Sequence, residues 1–179
     1  MNAGKKFETQ FKKSISKIPD AWYYRFRDGT GSWGGGTQTR FQATNICDCE
    51  VFYRRVLFLI ELKSHTGSSI PYSAIRENQI KGLCEAAKNK WISAGFLIFF
   101  SDKERCFYLD AETVKWHKEN SGRKSIPFSW CHEIGAIEIP VKPLKTNFDF
   151  DSRFLLDKIA REMEENGGNL RKADCVQPR

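Results

Sequence analysis

The chain has 179 residues and no long hydrophobic run. Its longest apolar stretches, VLFLI at 56–60 and AGFLIFF at 94–100, fall far short of the roughly 20 residues a bilayer-spanning helix needs. The opening residues, MNAGKKFETQFKKS, lack the apolar segment of a secretory leader, so a soluble, cytoplasmic protein is expected. No internal repeat occurs, and no low-complexity segment beyond one glycine-rich stretch, which excludes a repeat array. Six cysteines are present, but Cys47 and Cys49 form a lone C-x-C with His65 nearby, and no second pair follows at knuckle spacing. Without a leader, free thiols are expected rather than disulfides. Cys47 and Cys49 then read as buried, inert strand thiols. The three histidines, His65, His117 and His132, show no ligand spacing and read as structural or surface residues.

What is present suits one domain with a real core: 40% hydrophobic and 13% aromatic residues. The domain is expected over 1–166, with 167–179 a disordered tail. The formal charge of +7 is uneven, since residues 1–40 carry eight Lys/Arg against three Asp/Glu. A basic excess favours a polyanionic partner, nucleic acid first. A membrane-surface helix is disfavoured, because the first helix lacks a large apolar face.

Phe7, Phe11, Ile15 and Ile18 recur at helical spacing, which predicts an amphipathic helix over Lys5–Lys17. AWYYRF (Ala21–Phe26) is strand-like, and the following glycine-rich segment, with Trp33 at its middle, reads as a mobile projecting loop over 29–40. Strands are expected near Ile46–Phe52 and Val56–Lys63, joined by a turn at Tyr53-Arg54-Arg55. A helix over Tyr72–Lys90, a buried strand at Ala94–Phe100 and a strand near Arg105–Leu109 follow. Asp110 caps a short helix, SGRKSIPFSWC is a basic loop, GAIEIP is an edge strand, and Phe154–Glu165 is a last helix. The order predicts an α/β fold: a mixed central sheet flanked by helices.

The stretch DCEVFYRRVLFLIELKSH, 48–65, concentrates the chemistry. An apolar strand runs straight into Glu61 and Lys63, and charges are costly to bury unless paired or bound to a metal. Alternation puts Glu61 and Lys63 on one face. Asp48, on the paired strand, can bring its carboxylate to Glu61. Two adjacent carboxylates repel unless a cation lies between them, and oxygen ligands suit a hard ion, Mg²⁺ or Mn²⁺. A lysine beside such an ion can orient water or stabilise a phosphate. That is minimal equipment for phosphodiester hydrolysis. The solvated end of a hairpin is the competing reading of E-x-K.

With these residues in view, the sequence resembles the PD-(D/E)xK nuclease superfamily, and more closely the RecU-type Holliday junction resolvases, phage-borne ones included. The matching pieces are NAGKKFE, Asp48 with Glu61 thirteen residues later, ELK, ENQI, GFLIFF and SGRKSIPF, in the family's order across most of residues 2–130. The resemblance implies a restriction-endonuclease-like sheet and a Mg²⁺-dependent homodimer, with Mn²⁺ able to substitute, that cuts four-way DNA junctions symmetrically in recombination and repair. It implies metal ligation by Asp48 and Glu61 with Gln79 nearby, transition-state stabilisation by Lys63, and a water-mediated metal contact from Glu8. The glycine-rich segment matches a stalk entering the junction centre, where Trp33 could stack on splayed bases. Arg25, Arg27, Arg40, Arg76, Arg123 and Lys124 are the candidate phosphate contacts. This sequence departs from the family at Ile46, where threonine is usual, in lacking a glycine shortly after Asp48, and in a shorter loop between Glu61 and Gln79. A restriction- or repair-type nuclease on linear duplex, and a DNA-binding accessory protein with a decayed site, are the alternative functions.

Overall fold

The computed structural model describes residues 3–26 and 45–170. Arg27, Trp33, Arg40, the expected stalk and the tail beyond 170 lie outside them. Helix α1 (Ala3–Ile15) buries Phe7, Phe11 and Ile15, the periodic residues of its apolar face. It is followed by strands β1 (Ala21–Arg25), β2 (Cys49–Tyr53) and β3 (Val56–His65). A short strand β4 (Ser69–Pro71) and a 3-10 turn at Tyr72–Ala74 lead into helix α2 (Glu77–Ala86). Strands β5 (Ile92–Phe100) and β6 (Arg105–Asp110) precede helix α3 (Ala111–Asn120). Strand β7 (Ser125–Pro127), helix α4 (Phe128–Glu133), strands β8 (Ile137–Ile139), β9 (Val141–Pro143) and β10 (Phe148–Phe150), and helix α5 (Ser152–Glu165) complete the chain.

The central sheet has six strands in the order β1-β2-β3-β5-β6-β8. Only β3 and β5 run parallel, joined by the crossover through α2; the other pairs are antiparallel, so the sheet is mixed. Two cores result. On one face α1 and α5 cover Val51, Phe58, Ile60 and Leu62. On the other, α2, α3 and α4 cover Leu59, Phe96 and Ile98. Strand β5 is buried from Ser93 to Phe100 on both faces, as a continuous apolar run requires.

Three local readings need correction. The helix expected from Tyr72 starts at Glu77, because Arg76 is extended and Gln79 Oε1 folds back to accept its backbone N–H at 3.1 Å, while the Gln79 N–H donates to the Arg76 carbonyl at 3.0 Å. The basic loop SGRKSIPFSWC holds β7, which pairs with β4, and then α4. The β9–β10 hairpin has no signal in the sequence, because three-residue strands carry too little alternation to register. The cap at Asp110 is present, its carboxylate accepting the Thr113 N–H at 2.9 Å. No helix among the described residues is long and apolar enough to cross a membrane.

Candidate metal centre

Strand β3 carries two kinds of residue on one face. Leu57 and Leu59 meet the α2 side of the sheet, and the same alternation delivers Glu61 and Lys63 there. Glu61 lies in mid-sheet, opposite Phe96 of β5, and only 2% of it is exposed. Its Oε1 pairs with Lys63 Nζ at 2.7 Å. Its Oε2 is buried and has no hydrogen-bond partner among the described residues. A buried carboxylate oxygen left without a partner is costly, and native structures rarely tolerate one without a reason.

Asp48 stands one residue before β2. The β2–β3 register pairs Cys49 with Ile60, so one step further on Asp48 faces Glu61. Its backbone N–H donates to Ile60 O at 3.2 Å, and its carbonyl accepts from Phe26 N–H at 2.9 Å. Its Oδ2 accepts the Leu62 N–H at 2.8 Å. The carboxylate thus takes the place of a ladder partner where β2 begins, and this anchors it beside β3.

Gln79 enters from the first turn of α2 and is 5% exposed. Its oxygen accepts the Arg76 N–H, which leaves the amide nitrogen as the group that approaches Glu61. The amide approaches Glu61 closely enough to favour its charged form, but leaves Oε2 unbonded. Burial, then the Asp48 charge, raises the Glu61 pKa to about 7, against the opposing pull of Lys63 and Gln79. Burial, with Glu61, Asp48 and Glu50 nearby, pushes the Cys47 thiol up to about 12. Cys49 is also a buried thiol, held well above its ordinary range by burial first.

These residues fit a hard divalent cation. Two carboxylates and an amide converge, and Glu61 Oε2 is a buried oxygen with no hydrogen bond among the described residues. Among the described residues no cluster of three or more His, Cys, Asp or Glu side chains is placed to hold an ion. An ion here would take its remaining ligands from water and phosphate, the usual habit of Mg²⁺.

Asp48, Glu61, Lys63 and Gln79 therefore come together. Glu8 sits on α1, which packs on the opposite face of the sheet, and its Oε2 pairs with Arg25 Nη2 at 2.5 Å. Arg76 is exposed at the start of α2. Arg123 and Lys124 are exposed before β7, where Lys124 O accepts the Tyr72 N–H at 3.0 Å. His117 is buried, bonded to Tyr72 and packed against Trp130, a structural place for a histidine. Gly82 lies inside α2, where a glycine in a helical pattern signals a close approach by a neighbour.

The profile of the RecU family, Recombination protein U, matches residues 2–147. The SPbeta prophage-derived uncharacterized protein YotM of Bacillus subtilis (strain 168) is 31% identical over 179 residues, covering 90% of this chain and 87% of that protein. A solved structure of Archaeoglobus fulgidus Hjc, a Holliday junction resolvase from an archaeal hyperthermophile, aligns over 61% of this chain and 78% of its own, at 14% identity and a TM-score of 0.41. With its profile matched across most of its length, the chain belongs to the RecU family, recombination nucleases that resolve Holliday junctions in DNA.

Proposed function

We propose that this chain is a Mg²⁺-dependent endodeoxyribonuclease, also served by Mn²⁺, that resolves four-way junctions by paired phosphodiester cleavage. The observation that carries this is Glu61: a buried carboxylate with one oxygen unpartnered among the described residues, facing Asp48 and paired with Lys63. Asp48 and Glu61 would hold the ion, with Gln79 beside them. A bound ion would supply Lewis acidity and a more acidic water. Lys63 brings the positive charge that stabilises the phosphate as negative charge develops on it. Glu8, on the opposite face of the sheet and ion-paired with Arg25, is left out of the centre. Arg25, Arg76, Arg123 and Lys124 are assigned to phosphates, together with Arg27 and Arg40, and Trp33 to the junction bases. The nuclease domain is assigned to 1–166.

Two cuts need two centres, and the described residues of one chain supply one. A homodimer meets that need, and the sheet offers a face for it. Trp22, Tyr24 and Phe52 are 53%, 46% and 47% exposed. The register of β1 and β2 puts all three on the face that carries Asp48 and Glu61. The Trp22 and Tyr24 rings stack with centroids 6.0 Å apart. Aromatic residues concentrate in interface cores. A second copy is assigned to this face.

The test is a labelled four-way junction in Mg²⁺, beside linear duplex of the same sequence and a Glu61→Ala control. Symmetric nicks on the junction alone, lost in the variant, are expected. Cleavage of linear duplex would instead favour the restriction- or repair-type reading. Junction binding in EDTA with no cutting in Mg²⁺ or Mn²⁺ would favour the accessory protein.

A further inference from the structure

We propose that Ile46 and Gly82 form a steric lock that sets where Asp48 and Gln79 stand around Glu61, which makes both of them positioning residues of the centre. The inference rests on the metal-centre reading above. Gly82 lies inside α2, three residues after Gln79 and so on the same side of the helix. A Cβ added there would stand 2.3 Å from Ile46 Cγ2 and 2.9 Å from Ile46 Cβ. Both are closer than real Cβ contacts, so only a hydrogen fits at 82. Glycine is a poor helix former, and its place in this helix answers to the isoleucine seated against it.

Ile46 is a suitable peg. Its β-branched side chain is stiff at χ1, and two residues later comes Asp48. Asp48 is tied to β3 through the Leu62 N–H, and Gln79 is tied to the start of α2 through the Arg76 N–H. The peg-and-notch contact joins the segment carrying the acid to the helix carrying the amide. It fixes how closely α2 approaches the sheet at Glu61. Ile46 stands where the family usually has threonine, whose Cγ2 would enter the same notch.

The substitution series is Gly82→Ala, Ile46→Ala, Ile46→Val, Ile46→Thr and the double variant Gly82→Ala/Ile46→Ala, each in the full chain. Three quantities are measured: Mn²⁺ affinity by calorimetry, the ¹⁵N signal of the Gln79 side-chain amide in metal-free protein, and kcat and KM on a junction. Gly82→Ala is expected to weaken Mn²⁺ binding about tenfold and to move the Gln79 signal. Its kcat should fall while KM holds. Ile46→Val and Ile46→Thr, which keep the Cγ2 methyl, should bind Mn²⁺ within about twofold of the parent. The double variant loses the Cγ2 clash but keeps the 2.9 Å approach to the Cβ at 46, so it should recover part of the loss. Folded Gly82→Ala with a parental Mn²⁺ affinity and an unmoved Gln79 signal would overturn the lock. So would a double variant no better than Gly82→Ala. A parent chain that takes up no Mn²⁺ would overturn the metal centre, and the lock with it.

Discussion

At Glu61 two opposing effects meet, and burial with the Asp48 charge outweighs the ion pair to Lys63. Its folded pKa of about 7 lies above the ordinary 4.5. Between those values the folded metal-free protein holds a proton that the unfolded chain has released. Stability should therefore fall as pH rises from 4.5 to 7. Thermal melts of Glu61→Gln should lack that slope. The same proton competes with a cation, so Mn²⁺ affinity should drop about tenfold per pH unit below 7. Titration calorimetry at several pH values would show it. Lys63→Ala removes the neighbouring cation, so Glu61 should titrate higher still. Its junction cleavage should fall roughly 100-fold or more, with the pH optimum moved upward.

At the scale of elements, the approach to α2 is held from outside the helix. The Tyr72 hydroxyl is hydrogen-bonded to Nδ1 of the buried His117, and Lys118 reaches Glu77 in the first turn of α2. Burial lowers the His117 pKa, so the neutral imidazole is favoured as the tyrosine's partner. Tyr72→Phe leaves that ring without its hydrogen bond and should cost about 1–2 kcal/mol in urea unfolding. Amide exchange in the first turn of α2 should quicken more than in α5. Asp110→Ala removes a cap whose carboxylate accepts the Thr113 N–H, and should cost about 1 kcal/mol. That loss should appear as a shifted midpoint with cleavage chemistry unchanged, because α3 carries none of the four converging residues.

For the whole molecule, charge and surface make the predictions. The net charge is +7, and phosphate contacts release counterions, so junction affinity should fall linearly in a plot of log K against log salt. Trp22→Asp with Tyr24→Asp places charge on the aromatic face. If the proposed dimer forms on this face, sedimentation should show a shift to monomer, and junction products should change from paired cuts to single nicks. A dimer that survives both substitutions would move the interface elsewhere.

Much of this was legible in the sequence because it depends on periods and neighbours. The alternation of Val56–Lys63 put Glu61 and Lys63 on one face, and the apolar run at 94–100 declared a strand buried on both sides. Hairpin distance suggested that Asp48 meets Glu61, and the register, which ends at Cys49–Ile60, leaves Asp48 one step beyond, beside β3. What the sequence could not determine was anything set by contact across elements. The start of α2 depends on a Gln79 side chain folding back to the Arg76 N–H, and α1's side of the sheet depends on which face its apolar stripe meets. Strands of three residues, such as β4 and β7, exist because they pair with each other, not because of any pattern of their own. The Ile46–Gly82 contact joins positions 36 apart, and only the tertiary fold brings a glycine's missing side chain against an isoleucine.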